Sequence, residues 1–302
     1  MKISFAGLGQ MGKPIAKNLA KAGAEVVATD RKPDAFPDLE ATGVQTTTDF
    51  ARLAEGEIVF LCLPNGEVVH DVLLGDNGLA KRLRPDQLVI DLSTITYGTS
   101  VAIAKALGEK GVAFLDAPIS GMEARAVDGT LTVMCGGDRA AFDRAKPLLE
   151  SIGSTILFMG PAGSGQLTKL INQLLFDINA AALAEVLPMA AKMGLDPDRV
   201  AAVVNSGTGR SYASEFFLPR ILRGHFGDGY PMGHAYKDLV SGAGISAELG
   251  IPMPVLAAAT ATYQAALLKG HGSKDKGAMV LVFEDLLGVS FRSAPDVIGE
   301  RA

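Results

Sequence analysis

Along the first half of the chain, short apolar runs alternate with amphipathic stretches. The apolar runs, rich in β-branched residues, are Ile3–Ala6, Glu25–Thr29, Ile58–Leu63, Leu88–Leu92, Ala113–Leu115 and Leu131–Cys135. Between them, stretches such as Lys13–Lys21 and Ser100–Lys110 read as helices. Uniformly apolar strands separated by helices predict a parallel sheet covered on both faces.

The pattern changes near residue 160. Gly160, Pro161, Gly163 and Gly165 form a breaker cluster. Beyond it β-branched runs thin out and alanine rises. Gln166–Met193 reads as one long helix, with Pro188 the place for a kink because proline removes a backbone donor. Further helical patterns cover Pro197–Asn205, Phe216–Arg223, Tyr236–Leu249, Pro254–Leu268 and Lys276–Leu287. The expectation is an α/β domain over residues 1–160, then an all-helical domain over 161–302, joined by a long interdomain helix.

Composition narrows the classes. The chain has 302 residues, 48% of them hydrophobic and 20% charged, ample for two packed cores. Its 35 glycines exceed average usage without a collagen period, which points to tight turns and close backbone approaches to a ligand. A net charge of −5 argues against a nucleic-acid partner, which needs a basic footprint. The two cysteines, Cys62 and Cys135, sit in apolar runs and read as buried thiols of a reducing compartment. The four histidines show no metal-ligand spacing, so no metal site is expected. Glu185 and Lys192 interrupt the longest apolar stretch, and the N-terminus lacks a signal-peptide pattern. The expected setting is the cytoplasm, with no membrane partner.

The first apolar run leads into Gly7-Leu8-Gly9-Gln10-Met11-Gly12, and a helical pattern follows. In this context GxGxxG predicts a Rossmann dinucleotide site. Gly7 permits the tight turn, Gly9 lets backbone amides approach a pyrophosphate at a helix N-terminus, and Gly12 lets helix and strand pack closely. Asp30 ends the next strand, where a carboxylate accepts from ribose hydroxyls and repels a 2′-phosphate, which favours NAD. Arg31 and Lys32 could neutralise such a phosphate, which keeps NADP as the second option; a solvated turn is the plainer reading of both.

Three further strand ends carry polar or turn residues: Leu63-Pro64-Asn65, Asp91-Leu92-Ser93-Thr94 and Asp116-Ala117-Pro118-Ile119-Ser120-Gly121. Ligands of open parallel sheets bind outside such ends. Ser120, Gly121 and Met122 offer a hydroxyl and successive amides suited to a carboxylate; an ordinary strand-ending turn is the alternative. In the long helix, Lys169 and Asn172 are three apart and share a face, which Phe176 extends. A lysine in an apolar helix either snorkels at a rim or serves chemistry, where burial would lower its pKa and fit it to donate a proton to a carbonyl being reduced.

Four motifs carry a resemblance: GLGQMGKPIAKNL at 7–19, DAPISG at 116–121, GSGQLTKLINQ at 163–173 and KDL at 237–239. In this order, spanning nearly the whole chain, they resemble the β-hydroxyacid dehydrogenase family, which includes 3-hydroxyisobutyrate dehydrogenase and tartronate semialdehyde reductase. The resemblance implies hydride transfer between NAD(P) and a small β-hydroxy acid or its semialdehyde. It implies that the loop 7–12 and Asp30 hold the dinucleotide, that Leu63, Pro64 and Asn65 line it, and that Thr94 lies near the nicotinamide. Ser120 and Gly121 would bind the substrate carboxylate, Lys169 would be the acid/base and Asn172 would orient the substrate. Lys237, steadied by Asp238, would reach cofactor or substrate. A homodimer or homotetramer is implied. Two departures stand out. Met122 replaces the glycine usual after Ser-Gly, and Arg210, in a Gly/Ser turn, could meet a second anionic group or simply be solvated. The rival readings are a glyoxylate/succinic semialdehyde reductase and a dinucleotide-binding sensor or scaffold without turnover.

Overall fold

The computed structural model describes residues 1–294. The chain divides into two compact units, Met1–Lys169 and a second from Leu170 onward.

In the first unit the strands are β1 (Lys2–Ala6), β2 (Glu25–Thr29), β3 (Gln45–Thr47), β4 (Ile58–Leu61), β5 (Leu88–Asp91), β6 (Ala113–Asp116), β7 (Ile119–Ser120), β8 (Leu131–Gly137) and β9 (Gly153–Gly160). The helices between them are α1 (Gly12–Lys21), α2 (Phe36–Glu40), α3 (Gly66–Leu74), α4 (Tyr97–Gly108), α5 (Met122–Asp128) and α6 (Arg139–Leu149). The sheet order is β3-β2-β1-β4-β5-β6-β8-β7, with β9 on β8. The first six strands of that order are parallel and form a Rossmann sheet, whose strand order reverses between β1 and β4. Side chains alternate between its faces. Ile58 and Phe60 join one buried cluster with Ile3, Ile15 and Leu19, while Val59 and Leu61 join another with Leu73, Ile103 and Leu107.

The expected all-parallel sheet holds only as far as β6. β8 runs antiparallel to β6 and to β7. Only the ten residues 121–130 join β7 to β8, fewer than the crossover to a parallel neighbour needs. β9 lies outside the expected strands, because its outward positions are partly apolar: Leu157 and Met159 are exposed.

The second unit is helical. α7 (Ser164–Lys192) starts before the division and continues into it, through Pro188. It is followed by α8 (Pro197–Ser206), α9 (Tyr212–Leu222), α10 (Met232–Leu249), α11 (Pro254–Leu268) and α12 (Val280–Leu287). The expected helix over 276–287 opens as a 3₁₀ turn, Lys276–Met279. α9 begins four residues before its expected start, because Ser211 and Ser214 form a reciprocal cap. Ala180, Ala184, Leu187, Phe217, Leu239 and Tyr263 belong to one core. By length and composition α7 could cross a membrane, its apolar window reaching a mean hydropathy of 1.5. The expectation that charged interruptions rule this out is thus corrected, since isolated charges barely lower a window average. The helix nonetheless buries Gln166, Lys169 and Asp177 within the fold.

Within this core Lys276 pairs with Asp177, which also accepts from the Tyr263 hydroxyl at 3.0 Å. The Lys276 ammonium lies 4.3 Å from the Phe176 ring centroid. Burial raises the Asp177 pKa, with Lys276 opposing.

Candidate active site

The turn after β1 is shaped by steric need. Gly7 has φ 96°, and a Cβ there would stand 2.2 Å from the Cys62 carbonyl oxygen. A Cβ on Gly12 would fall 1.8 Å from the Gly7 oxygen. Both positions exclude a side chain for internal reasons. Gly9 differs: it is exposed, and a Cβ would meet nothing within 4 Å. Its bare backbone faces open space, as an approaching pyrophosphate requires.

That space is a cavity of about 760 Å³, lined in part by Gly9, Met11, Asp30, Arg31, Leu63 and Pro64. Gly7, Gln10 and Gly12 also line it, and Leu8 is buried behind the loop. The Asp30 carboxylate accepts from the backbone N–H of Leu8 at 2.7 Å and of Lys32 at 3.1 Å. It is thereby held at the loop with lone pairs left for ribose hydroxyls. These residues fit a dinucleotide. Arg31 is exposed at the same rim. Asn65 lies outside the lining and caps α3, accepting from Val68 N–H at 2.9 Å. Cys62 also lines the cavity, but burial, then Asp91, pushes its thiol up to about 12, so it is no nucleophile at neutral pH.

A second cluster gathers at the ends of β5 and β6. Asp91 and Asp116 are register partners on these parallel strands, both fully buried. Asp116 Oδ1 accepts from Gly163 N–H at 2.6 Å, and Oδ2 from Gln166 N–H at 2.9 Å. It thus caps the start of α7, where a negative charge is stabilised. A Cβ on Gly165 would sit 2.3 Å from the Met134 carbonyl oxygen, so the Gly-Ser-Gly motif lets the helix start press onto the strands. Asp91 accepts from Ser93 N–H at 2.9 Å through Oδ1, while its buried Oδ2 has no partner among the described residues. Burial, partly opposed by the Ser93 hydrogen bonds and reinforced by Asp116, raises the Asp91 pKa to about 7.

This has a measurable consequence. A folded-state pKa above the unfolded one makes the contribution of Asp91 to stability greatest at low pH and lost as pH rises from about 4 to about 7. Three pKa units correspond to about 4 kcal/mol. Asp91→Asn is therefore expected to match the wild type in urea unfolding at pH 4 and to exceed it by a few kcal/mol at pH 8. A pH-independent difference would refute the shift.

Lys169, one turn beyond Gln166, is 8% exposed and has an interaction partner. Asn172 is exposed, its amide 3.4 Å from the Gln173 side-chain oxygen. Gln173 is half-buried and donates to the buried Asp238 of α10 at 3.4 Å. With 3.6 residues per turn, the inward stripe of α7 runs through the buried 166, 169 and 177 and the half-buried 173, and Asn172 falls beside it. Asp91 and Asp116 stand at the polar strand ends, and Gln166 and Gln173 in the 163–173 motif, without an expected role of their own. Lys237 is exposed on α10 and has a partner. Ser120 ends β7, half-buried. Gly121 (φ 143°) and Met122 (φ 61°) follow, Met122 being the one non-glycine with positive φ among the described residues. That conformation costs about 1–2 kcal/mol for an L-residue. Arg210 is exposed and pairs with Glu215 at 2.6 Å, the solvated arrangement.

Known proteins resemble the chain over nearly its whole length. Residues 2–160 match the family model described as the NAD binding domain of 6-phosphogluconate dehydrogenase. Residues 163–283 match the one described as NAD-binding of NADP-dependent 3-hydroxyisobutyrate dehydrogenase. The chain is 35% identical to 2-(hydroxymethyl)glutarate dehydrogenase of Eubacterium barkeri, covering 96% of this chain and 97% of that one. It is 34% identical to 2-hydroxy-3-oxopropionate reductase of Escherichia coli, covering 94% and 97%. Among solved structures, 3-hydroxyisobutyrate dehydrogenase from Salmonella typhimurium superposes with a TM-score of 0.85 at 30% identity, covering 94% of this chain and all of that one.

Proposed function

Given that the chain belongs to the β-hydroxyacid dehydrogenase family and is an NAD(P)-dependent hydroxyacid oxidoreductase, we propose that it interconverts a small β-hydroxy acid and its semialdehyde with Lys169 as general acid/base. The observation that carries this reading is a buried lysine in the first turns of α7, in the same compact unit as the dinucleotide cavity and anchored through Asp116 to the strand ends.

The dinucleotide, when bound, accepts or supplies the hydride. Gly7, Gly9 and Gly12 seat its pyrophosphate, Asp30 holds the adenosine ribose, and Leu63, Pro64 and Thr94 border its path. Ser120 and the amides of Gly121 and Met122 fix the substrate carboxylate, which turns the carbinol carbon toward the hydride acceptor. In oxidation neutral Lys169 takes the hydroxyl proton at Nζ; in reduction its ammonium returns a proton to the carbonyl oxygen. Gln173, on the inward stripe, suits substrate orientation better than the exposed Asn172.

The Asp30 carboxylate supports NAD over NADP. The test is reduction of both dinucleotides by the purified protein with D-glycerate, 3-hydroxyisobutyrate, L-serine, 4-hydroxybutyrate and L-threonate. The expected result is turnover of at least one, with kcat/KM for NAD exceeding that for NADP by about tenfold or more, the worth of one charge-assisted hydrogen bond. Dinucleotide binding without turnover would favour a sensor. The exposed Val186 and Met189 of α7, and Met193 just after it, support a homodimer or homotetramer, which light scattering distinguishes from a monomer. The two free cysteines suit the reducing cytoplasm.

A further inference from the structure

We propose that Gln166 is a positioning residue whose side-chain amide locks the loop around Thr94 to the helix turn that carries Lys169. The inference rests on the reading of Lys169 as the acid/base. Gln166 is 2% exposed. Its Nε2 donates to the Ser93 carbonyl at 2.7 Å, and its Oε1 accepts from Ile95 N–H at 3.1 Å. The amide therefore spans Thr94, pairing with the residue on either side as a neighbouring strand would.

The loop so gripped is itself tied to its neighbours. Ser93 Oγ accepts from Leu63 N–H at 2.8 Å, and Ser93 N–H donates to Asp91. Lys169 lies three residues beyond Gln166, about 4.5 Å along the helix. One side chain thus sets the spacing between the loop after β5 and the proton-transferring turn. Docking of the helix start does not depend on it, because backbone N–H groups of residues 163 and 166 already bind Asp116. The chemistry demanded is narrow. A carbonyl only accepts and an N–H only donates, so the bridge needs one donor and one acceptor on a planar end. Ionised glutamate has no donor, and methionine offers neither group at useful strength.

The test compares Gln166→Glu and Gln166→Met with wild type in the reduction direction, where acid does not deprive Lys169 of its proton. Protonated glutamate can donate to Ser93 and accept from Ile95; its carboxylate cannot. At pH 8 the Gln166→Glu kcat is expected to fall about 10- to 100-fold, the scale of a small misplacement of reacting groups. The KM for the dinucleotide should stay within about twofold, since Gln166 does not line that cavity. As pH falls to 5.5 the ratio to wild type should recover. Gln166→Met should lose kcat equally at both pH values. The carboxyls of Asp91 and Asp116, both raised by burial, also titrate around this position, and the wild-type profile measured alongside accounts for them.

Gln166→Glu turning over as fast as wild type at pH 8 overturns the proposal. So does a loss that persists at pH 5.5 and tracks a fall in melting temperature, which marks a merely structural role. If Gln166→Glu does not fold, Gln166→Met with kcat within about twofold of wild type overturns it equally. Lys169→Ala is run in parallel. Loss of turnover there with no effect at Gln166 removes the positioning role alone; retained turnover there removes the reading of Lys169 and this proposal with it.

Discussion

Lys169→Ala is expected to lower kcat by at least about 10²- to 10⁴-fold, the range that a positioned acid or base contributes. Binding of the reduced dinucleotide should change little, because Lys169 is not among the residues lining the cavity. Cofactor fluorescence titration and steady-state kinetics separate the two. A loss confined to kcat means that the removed group acts in the transition state. A small primary amine added to the variant should restore part of the rate, since it can carry the missing proton through the space left by the side chain. Turnover within about tenfold of wild type would be too little loss for an acid/base and would assign the proton to another group.

Lys276→Ala is the second large effect, this time on stability. It leaves the Asp177 carboxylate fully buried, with the Tyr263 hydroxyl its one remaining hydrogen-bond partner among the described residues. Breaking one side of a buried ion pair costs about 3–5 kcal/mol. For a chain of this size the melting temperature should fall by roughly 5–8 °C. Burial already raises the Asp177 pKa against the pull of Lys276, and without the lysine the carboxyl holds its proton further. Stability carried by a raised pKa is present at low pH and lost as pH rises, so the deficit should be larger at pH 8 than at pH 5. Replacing the pair together, Asp177→Leu with Lys276→Met, should recover most of the loss, because an apolar pair of similar volume has no charge to desolvate. A single variant as stable as wild type at pH 8 would mean that the pair is screened by water.

Much of the fold was legible in the residue pattern. Glu25–Thr29 and Pro254–Leu268 lie where their periodicity puts them. β9 was not legible, because an edge strand with Leu157 and Met159 facing outward lacks the polar alternation that marks one exposed face. The start of α9 was hidden in a Gly/Ser turn, where Ser211 and Ser214 look like loop residues until their reciprocal hydrogen bonds are seen. In the candidate site, Asn172 and Gln173 could not be separated in advance. Spacings of three and four both lie near one helix face, and only the packing of α7 decides which of them is covered.

The sequence by itself determined the dinucleotide turn and the place of the lysine. Gly7 must be glycine for its positive φ, Gly12 because a Cβ there would meet the Gly7 oxygen of the same turn, and Lys169 follows its breaker cluster by local helical phase. The tertiary structure alone decided the electrostatics and the scaffold around them. Asp91 acquires a pKa near 7 because folding buries it beside Asp116. Gln166 gains its role from two backbone groups far away along the chain, and Asp177 finds its cation on a distant turn. Turn geometry and helical phase are properties of neighbouring residues. A buried group's hydration, charge state and hydrogen-bond partners belong to whatever the fold brings against it.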